Sequence, residues 1–309
     1  MARRRALVTG GAGFIGSHLV ERLLSEGLQV VVLDDLSVGK RENVAPDAEF
    51  VEGDVRDPDV VADAISGVDV VFHLAARVSI RASVAGFYGD AQTNLMGTLN
   101  VLQACAANDV QRFVYASSMA VYADSPQAIP LPETYRTEPI SPYGVAKLAS
   151  ERYAMLVADQ AGFQAVALRY FNTYGPRQTF TPYVGVITIF IQRLLRGEAP
   201  VIFGDGEQCR DFVYVGDIVE ATFKAMMSDV HGEVMNVGSG TGTSVNGIVA
   251  LLCARLGLDV VPCHVPQHVG ELRNSIADIS KARHLLGYDP RGRLEDKMDE
   301  IIAWNREMI

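Results

Sequence analysis

Two serines, a tyrosine and a lysine are spaced as an acid–base group requires. Ser117 and Ser118 end an apolar run in FVYASSMAVY, and Tyr143 and Lys147 form YGVAK at the start of a helical segment. Residues i and i+4 share a helix face, so the ammonium lies near the phenol, favours the phenolate and lowers a pKa that starts near ~10. Such a tyrosine removes a hydroxyl proton while a hydride leaves the same carbon, and a serine hydroxyl relays that proton.

A glycine loop near the start of the chain is suited to a dinucleotide. In TGGAGFIGS, Gly10 allows a tight turn, Gly13 lets the backbone approach a pyrophosphate, and Gly16 lets a helix pack closely on a strand. The helix N-terminus then offers N–H groups and a positive dipole end to the anion. Asp34 ends the second strand, where a carboxylate binds both ribose hydroxyls and repels a 2′-phosphate. These residues predict NAD rather than NADP.

Other interpretations of the same region stay open at this point. Lys40 and Arg41 would meet a 2′-phosphate if their loop folded back, and Asp34 could be a simple turn residue. Asp54, in EGDVRD, suits the adenine amino group or, alternatively, the cap of the next helix.

The elements that must position these residues alternate through the first half of the chain. Apolar runs at 6–9, 29–33, 50–52, 68–74, 112–116 and 165–170 predict strands, and helical patterns at 17–26, 58–66, 91–108 and 143–162 separate them. Such βαβ units predict an α/β fold with a doubly wound parallel sheet of the Rossmann type. Residues 123–142 and 173–186 read as loops and 204–211 as a turn, with later helices at 187–196, 217–227, 244–256 and 294–307.

This change of rhythm predicts two domains. We assign residues 1–170 to an NAD-binding domain, to which a segment near 205–230 returns, and residues 171–309 to a smaller α/β substrate-binding domain.

Composition limits the classes of protein that fit. The 309 residues are 49% hydrophobic and 21% charged, with 27 Lys and Arg against 37 Asp and Glu, hence a net charge of −10. This composition excludes a disordered chain and argues against a nucleic-acid platform. No apolar run approaches the roughly 20 residues of a membrane span, and Arg3–Arg5 read as a solvated lead-in rather than a targeting signal. The four cysteines lack metal-site spacing, so we expect free thiols, no metal and a cytoplasmic enzyme.

Motifs along the whole chain carry a resemblance to a known family. The segments TGGAGFIGSH, HLAA (His73–Ala76), YGVAK, RYFNTYGPRQ, RDFVYVGDIVEA, NVGSG and ADISKARHLLGY occur in order, together with Asp54 and the strand-end serines. In this the chain resembles the extended short-chain dehydrogenase/reductase family. Within it the chain is similar to the NAD-dependent nucleotide-sugar epimerases and dehydratases, and above all to the UDP-glucose (UDP-galactose) 4-epimerases.

The resemblance implies a role for each matching residue. Tyr143 would take the proton of the sugar 4-hydroxyl, Lys147 would hold the nicotinamide ribose, and Ser118 falls on the catalytic Ser/Thr position. Bound NAD would take the C4 hydride and return it to the other face of the sugar. The residues implied to bind the cofactor are Gly10, Gly13, Phe14, Ile15, Gly16, Asp34, Asp35, Asp54, Val55, Leu74, Ala75, Ala76, Asn94, Tyr143, Lys147 and Tyr170.

The substrate side is implied in the same way. The residues expected to bind the nucleotide sugar are Ser118, Tyr143, Asn172, Val186, Ile187, Arg210, His268, Glu271 and Ser275. Arg210 would bind the diphosphate, although a surface ion pair with Asp211 or Asp217 is its alternative. His268 stands where an arginine is usual in the family, or else is a solvated loop residue.

Two further positions discriminate among the chemistries of this family. The 4,6-dehydratases carry Asp-Glu directly after the strand-end Ser/Thr, and the decarboxylases carry a Glu in the same stretch; here Met119 and Ala120 cannot transfer protons. Epimerisation at C4 needs no such pair. Ser275 falls where a bulky tyrosine excludes N-acetylated sugars in some 4-epimerases, so UDP-GlcNAc as well as UDP-glucose is expected to fit.

The alternatives are a UDP-glucuronate 4-epimerase, a 4-keto-6-deoxy nucleotide-sugar reductase and, least favoured, a non-catalytic NAD sensor. A uronate carboxylate would call for loop residues such as Arg81, Arg177, Thr179 and Thr181. The resemblance also implies a homodimer in which helices 91–108 and 143–162 pair across a two-fold axis as a four-helix bundle.

Overall fold

The computed structural model describes residues 4–178, 185–266 and 272–308. Its strands are β1 (Arg5–Thr9), β2 (Gln29–Asp34), β3 (Glu49–Glu52), β4 (Val70–His73), β5 (Arg112–Ser118), β6 (Pro130–Leu131), β7 (Gln164–Tyr170), β8 (Asn172–Tyr174), β9 (Val201–Phe203), β10 (Cys209–Tyr214), β11 (Glu233–Val237), β12 (Gly242–Ser244), β13 (Cys263–Val265) and β14 (Asn274–Ala277). Its helices are α1 (Phe14–Ser25), α2 (Pro58–Ala64), α3 (Ile80–Ala85), α4 (Phe87–Ala91), α5 (Gly97–Ala107), α6 (Pro142–Ala161), α7 (Val186–Leu195), α8 (Val215–Met227), α9 (Val245–Leu256), α10 (Ser280–Leu286) and α11 (Leu294–Glu307).

A seven-stranded sheet organises the larger part of the molecule. Its order is β3-β2-β1-β4-β5-β7-β11, and every neighbouring pair is parallel. The order reverses between β1 and β4, which is the switch point where ligands bind in doubly wound sheets. The prediction of a Rossmann-type α/β fold is confirmed.

Alternation along the strands sends side chains into two separate cores. On β1, Ala6 and Val8 face the core beneath α1 and α8, whereas Leu7 faces the core beneath α2, α5 and α6. Both faces of the sheet are therefore covered, which is why its strands are short, continuous apolar runs.

Smaller sheets and a third core make up the remainder. Strand β10 lies between β12 and β14 and also pairs with β8, while β9 pairs with β13. Helices α7, α9 and α11 enclose a core that includes Ile191, Leu252 and Met298. The late strand β11 pairs with β7 in the large sheet, and α8 packs against α1. The predicted division at residue 170 stays a prediction.

Some predicted elements differ from the observed ones. The helix expected over 91–108 is α4 and α5 joined by a π-helix over Gln92–Met96. The turn expected over 204–211 ends early, because β10 begins at Cys209, where it pairs with β12 and β14. The two expected loops contain β6 and β8, which are short strands held only by distant partners.

The cysteines and the helix lengths bear on two general expectations about the chain. All four cysteines are free thiols. In the three described ranges, no helix is both long and apolar enough to cross a bilayer.

Candidate functional site

A large cleft opens at the carboxyl edge of the sheet, over the switch point between β1 and β4. Its volume is about 1220 Å³, more than the roughly 300–1,000 Å³ typical of a pocket for one small molecule. Its wall includes the glycine loop and Arg210, together with Ser118, Tyr143 and Lys147. The cleft therefore has room for two ligands that meet at these three residues.

The glycine loop is shaped for an anion. Gly10 has φ +73°, and a Cβ on Gly16 would collide with the carbonyl oxygen of Gly10, so both positions require glycine. Helix α1 begins after Gly13, and no side chain of the described residues caps it. The N–H groups of its first turn, at Phe14 and Ile15, therefore remain for a ligand in the cleft.

Asp34 at the end of β2 fixes this loop. Its Oδ2 accepts a hydrogen bond from the Ala12 N–H at 2.9 Å, and its Oδ1 accepts one from Leu36 at 2.9 Å. Burial raises the pKa of the Asp34 carboxyl. Each carboxylate oxygen has a further lone pair, so Asp34 supports the loop and still suits ribose hydroxyls in the cleft.

The adjacent acidic residues are placed differently. Asp35 is exposed and accepts hydrogen bonds from the N–H and the hydroxyl of Ser37. Asp54 pairs with Arg56, whose guanidinium lowers the pKa of that carboxyl. Asp57, not Asp54, caps α2. Asp35, Asp54 and the buried Val55 all lie in the cleft wall.

The other predicted cofactor residues divide into cleft wall and support. Leu74, Ala75, Ala76 and Tyr170 line the cleft. Asn94 lies behind it: its amide holds the backbone of Arg77, accepting from the N–H at 2.8 Å and donating to the carbonyl at 2.9 Å. Asn94 thus supports the loop after β4 from the π-helix and does not face the cleft.

Ser118, Tyr143 and Lys147 converge as predicted. Ser141 caps α6 and Pro142 starts it, which places Tyr143 in the first turn and Lys147 one turn later. The Lys147 ammonium donates a hydrogen bond to the Ala116 carbonyl at 2.8 Å and lies 5.9 Å from the centre of the Tyr143 ring. Ser118 lies near enough to the Tyr143 hydroxyl to lower its pKa. Ser118 also caps the short turn over Met119–Val121.

The expected low pKa of Tyr143 is wrong for the protein by itself. Burial raises the pKa of Tyr143 to about 12, and this outweighs the lowering by Ser118. Burial also lowers the pKa of Lys147 to about 8. At pH 7 the pair is therefore a neutral phenol beside a largely protonated amine.

A buried ion pair behind this group was missed by the sequence analysis. The guanidinium of Arg169 on β7 holds Glu151 through two hydrogen bonds of 2.9 and 2.8 Å, and the Ser117 hydroxyl donates to the same carboxylate. Glu151 follows Lys147 by four residues, so the i, i+4 spacing that picked out Tyr143 and Lys147 extends to it. Both serines border the cleft, but they differ in their partners: the Ser117 hydroxyl bonds Glu151 on α6, whereas Ser118 acts on Tyr143.

The other described substrate residues line the same cleft, with the exception of Ser275. Val186 and Ile187 begin α7 and line the cleft with Asn172. Ser275 is fully buried behind Asn172, whose amide donates to its hydroxyl at 3.4 Å. His268 and Glu271, like Thr179 and Thr181, lie outside the described residues.

Arg210 reaches the cleft from β10. Its guanidinium donates to the carbonyls of Cys209, Arg273 and Leu272. The alternative ion pairs are not formed, because Asp211 instead accepts hydrogen bonds from Ser239, Gly240 and Ala277, and Asp217 from Arg291 and Gly292.

Comparison with protein families identifies the group to which this arrangement belongs. The model of the NAD dependent epimerase/dehydratase family matches residues 6–238. The chain belongs to this family. A curated member, the UDP-glucose 4-epimerase of Mycolicibacterium smegmatis, is 37% identical over 98% of both chains.

Solved structures of family members share the whole fold. The UDP-glucose 4-epimerase of Thermotoga maritima, with UDP-glucose, is 41% identical and superimposes with a TM-score of 0.95 over 98% of this chain and 99% of its own. The UDP-N-acetylglucosamine 4-epimerase of Methanobrevibacter ruminantium matches at 36% identity and 0.94 over all of both chains. The Thermus thermophilus UDP-glucose 4-epimerase, in complex with NAD, is 36% identical. It superimposes with a TM-score of 0.92 over 99% of this chain and 100% of its own.

Proposed function

We propose that this epimerase-family chain is an NAD-dependent 4-epimerase of UDP-sugars, acting on UDP-glucose/UDP-galactose and on UDP-GlcNAc/UDP-GalNAc. The observation that carries the proposal is the convergence of Ser118, Tyr143 and Lys147 beside Met119 and Ala120. The acid–base group for C4 is complete, whereas the neighbouring positions hold no group that could add dehydration or decarboxylation. The similarity to UDP-sugar 4-epimerases over the whole chain supports this choice.

The cofactor half of the cleft fits NAD. Its pyrophosphate would lie on the N–H groups of Phe14 and Ile15, over a turn in which Gly10 and Gly16 admit no side chain. Asp34 would hold the adenosine ribose and disfavour a 2′-phosphate. NAD supplies the hydride acceptor and donor for C4 of the sugar.

The residues of this chain handle the proton. Tyr143 would accept the proton of the sugar 4-hydroxyl through its phenol oxygen and give it back after the sugar turns over. The positive charge of Lys147, near the Tyr143 ring, favours the phenolate, and Ser118 stabilises it by a hydrogen bond. Because the proton and the hydride both return, the reaction is redox-neutral.

The remaining predicted residues would hold the nucleotide sugar. The Arg210 guanidinium would bind the diphosphate from the wall of the cleft, which Asn172, Val186 and Ile187 also line. The short side chain of Ser275, buried behind Asn172, would leave space near the sugar for a C2 N-acetyl group. His268 and Glu271 complete the proposed set, and a cytoplasmic location stays a prediction.

The test is incubation of the purified protein with a panel of sugar nucleotides and no added cofactor, followed by sugar analysis. The panel contains UDP-glucose, UDP-GlcNAc, UDP-glucuronate, dTDP-glucose and a GDP-sugar. We expect C4 epimers from UDP-glucose and UDP-GlcNAc. Turnover of UDP-glucose without UDP-GlcNAc would contradict the role of Ser275, and turnover of UDP-glucuronate alone would replace the substrate. In a separate incubation with a 4-keto-6-deoxy nucleotide sugar and added NADPH, consumption of NADPH would show a reductase.

We further propose a homodimer through α5 and α6. Large apolar side chains are exposed on α6, at Val145 and Leu156, and on α4 and the π-helix that precede α5, at Phe87, Tyr88 and Met96. Phe87 and Val145 line the same surface depression, and an exposed apolar surface of this kind is typical of an interface. Sedimentation at micromolar concentration should give twice the chain mass of 33.5 kDa. Leu156→Glu should dissociate the dimer, whereas Val261→Glu, at an exposed apolar residue off these helices, should not; a wild-type monomer would refute the proposal.

A further inference from the structure

Lys147 is a buried cation with few partners. Its side chain is 98% buried, with a relative exposure of 2%. Its ammonium makes one hydrogen bond in the described structure, to the Ala116 carbonyl, and lies 4.9 Å from the centre of the Tyr115 ring. Removing an ammonium from water is costly unless an opposite charge compensates it. The protonated state of Lys147 therefore depends on a nearby carboxylate.

Titratable groups face Lys147 from every element packed around it. They are His73 on β4, Asp90 on α4, Tyr115 on β5, and Tyr143 and Glu151 on α6. Arg77, in the loop after β4, and Arg169, on β7, face the two carboxyl groups instead. Burial lowers the pKa of His73 to about 3 and raises those of Tyr115 and Tyr143, so these three are neutral at pH 7. Asp90 and Glu151 are the two carboxyl groups that act on Lys147. Burial raises the pKa of Asp90, whereas the Asn94 amide and the charges of Arg77 and Lys147 favour its ionised form.

Glu151 already forms an ion pair with Arg169. Both of its oxygens accept hydrogen bonds from the Arg169 guanidinium, and one also accepts from Ser117. A carboxylate paired in this two-pronged manner has its charge largely balanced by its own partner. Its field at Lys147 is accordingly opposed by that of Arg169.

Asp90 forms no such two-pronged ion pair in the described part of the chain. It is 2% exposed, its Oδ1 accepts a hydrogen bond from the Asn94 amide at 2.9 Å, and its buried Oδ2 makes no hydrogen bond in the described structure. Ser150, three residues after Lys147 on α6, donates a hydrogen bond to the Asn94 carbonyl at 3.0 Å, so the π-helix holds the Asp90 carboxylate against the part of α6 that carries Lys147. Arg77 also faces Asp90, but its side chain is exposed and water screens its charge.

We propose that Asp90 is the counter-charge of Lys147, a positioning residue whose carboxylate keeps the Lys147 amine protonated at neutral pH. Through that ammonium Asp90 would favour the Tyr143 phenolate. Only this second step rests on the proposed epimerase function; the first concerns the protein without any substrate. The negative charge of Asp90 also acts on Tyr143 directly and in the opposite sense, raising its pKa. The protonation of Lys147 itself is therefore the decisive measurement.

The experiment uses lysine labelled with ¹³C at Cε. The chain has only five lysines, at positions 40, 147, 224, 281 and 297, so five signals are expected, and Lys147→Arg assigns the signal of interest. Asp90→Asn removes the charge at nearly constant volume. Because loss of a nearby negative charge favours the neutral amine, the titration midpoint of Lys147 should fall below that of the wild type, by about one pH unit.

Matched variants separate charge from packing. Asp90→Glu keeps the charge and should keep the midpoint near the wild-type value. Asp63→Asn removes a carboxylate from the exposed face of α2 and should change nothing. Asp90→Ser provides a second neutral side chain if Asp90→Asn does not fold, as judged by circular dichroism. An unchanged Lys147 midpoint in a folded neutral variant overturns the proposal.

If the chain is an epimerase, the pH dependence of turnover gives a second test of the role of Asp90. The activity of the wild type should fall at alkaline pH as Lys147 loses its proton, and Asp90→Asn should move this limb to lower pH. For a midpoint that moves from about 8 by about one pH unit, kcat falls about eightfold at pH 8.5 and less than about twofold at pH 6.5. A loss of kcat equal at both pH values, with a normal Lys147 titration, would show a purely structural role for Asp90. No turnover by the wild type, with the midpoint shifted, would refute the epimerase function and leave the counter-charge intact.

Discussion

Tyr143→Phe is expected to lower kcat with UDP-glucose by about 10²- to 10⁴-fold. The substitution removes one oxygen and keeps the ring, which is buried between Lys147 and the cleft. In the proposed mechanism no other described side chain at C4 can take the sugar proton: Ser118 has a hydroxyl of much higher pKa, and Lys147 is already protonated at pH 7. Turnover should therefore depend on this phenol.

The measurement is kcat at saturating sugar nucleotide, together with KM and the NAD content of the purified protein. A small change in KM and unchanged NAD content would locate the loss in the proton transfer rather than in binding. Tyr153→Phe is the matched control, because Tyr153 lies on the same helix with an exposed side chain. A kcat for Tyr143→Phe within about threefold of the wild type would refute the assigned role.

The organisation of the large sheet was readable from the sequence because it follows from local pattern. Apolar runs separated by helices leave a parallel sheet as the one arrangement that buries both faces, and the glycine loop marks its first turn. The small strands β6 and β8 were not readable. They are two and three residues long and exist only because β14 and β10 lie beside them.

The residues of the candidate site show the same division. Ser118, Tyr143 and Lys147 could be predicted because each stands at a recognisable strand end or helix face. The π-helix between α4 and α5 could not be predicted, because it occurs together with tertiary hydrogen bonds. Asn94 accepts a hydrogen bond from the Arg77 backbone, and the Asn94 carbonyl accepts hydrogen bonds from Thr98 and Ser150. Asp90 becomes visible as a neighbour of Lys147 only once this π-helix has turned α4 toward α6.

The Glu151–Arg169 pair could be predicted from the sequence only in part. The helical spacing places Glu151 on the face of Tyr143 and Lys147, but its partner is on β7, and no sequence pattern joins the two. The side chains have exposures of 2% and 4%, so neither charge is solvated. The pair also extends outward: the Arg169 guanidinium lies 4.7 Å from the centre of the Tyr122 ring, and Tyr122 donates a hydrogen bond to Asn236.

Glu151→Gln is accordingly expected to have the largest effect on stability. The amide cannot balance the buried Arg169 charge, and breaking a buried pair from one side costs about 3–5 kcal/mol of the free energy of unfolding. Urea denaturation with an unchanged slope should show this as a lower midpoint. The matched control is Asp159→Asn on the same helix, whose partner is His231 and whose side chain is 65% exposed; an exposed pair contributes at most about 1 kcal/mol.

The double variant Glu151→Gln with Arg169→Met distinguishes an unbalanced charge from a lost contact. Removing both charges leaves no buried ion, so the double variant should be more stable than Glu151→Gln alone. If the losses of unfolding free energy caused by Glu151→Gln and Arg169→Met alone simply add in the double variant, the destabilisation comes from lost packing, and the electrostatic explanation is wrong. If the free energy of unfolding of Glu151→Gln lies within about 1 kcal/mol of the wild-type value, another group compensates the charge of Arg169. The carboxylate of Glu151 could then compensate the charge of Lys147 as well as Asp90 does.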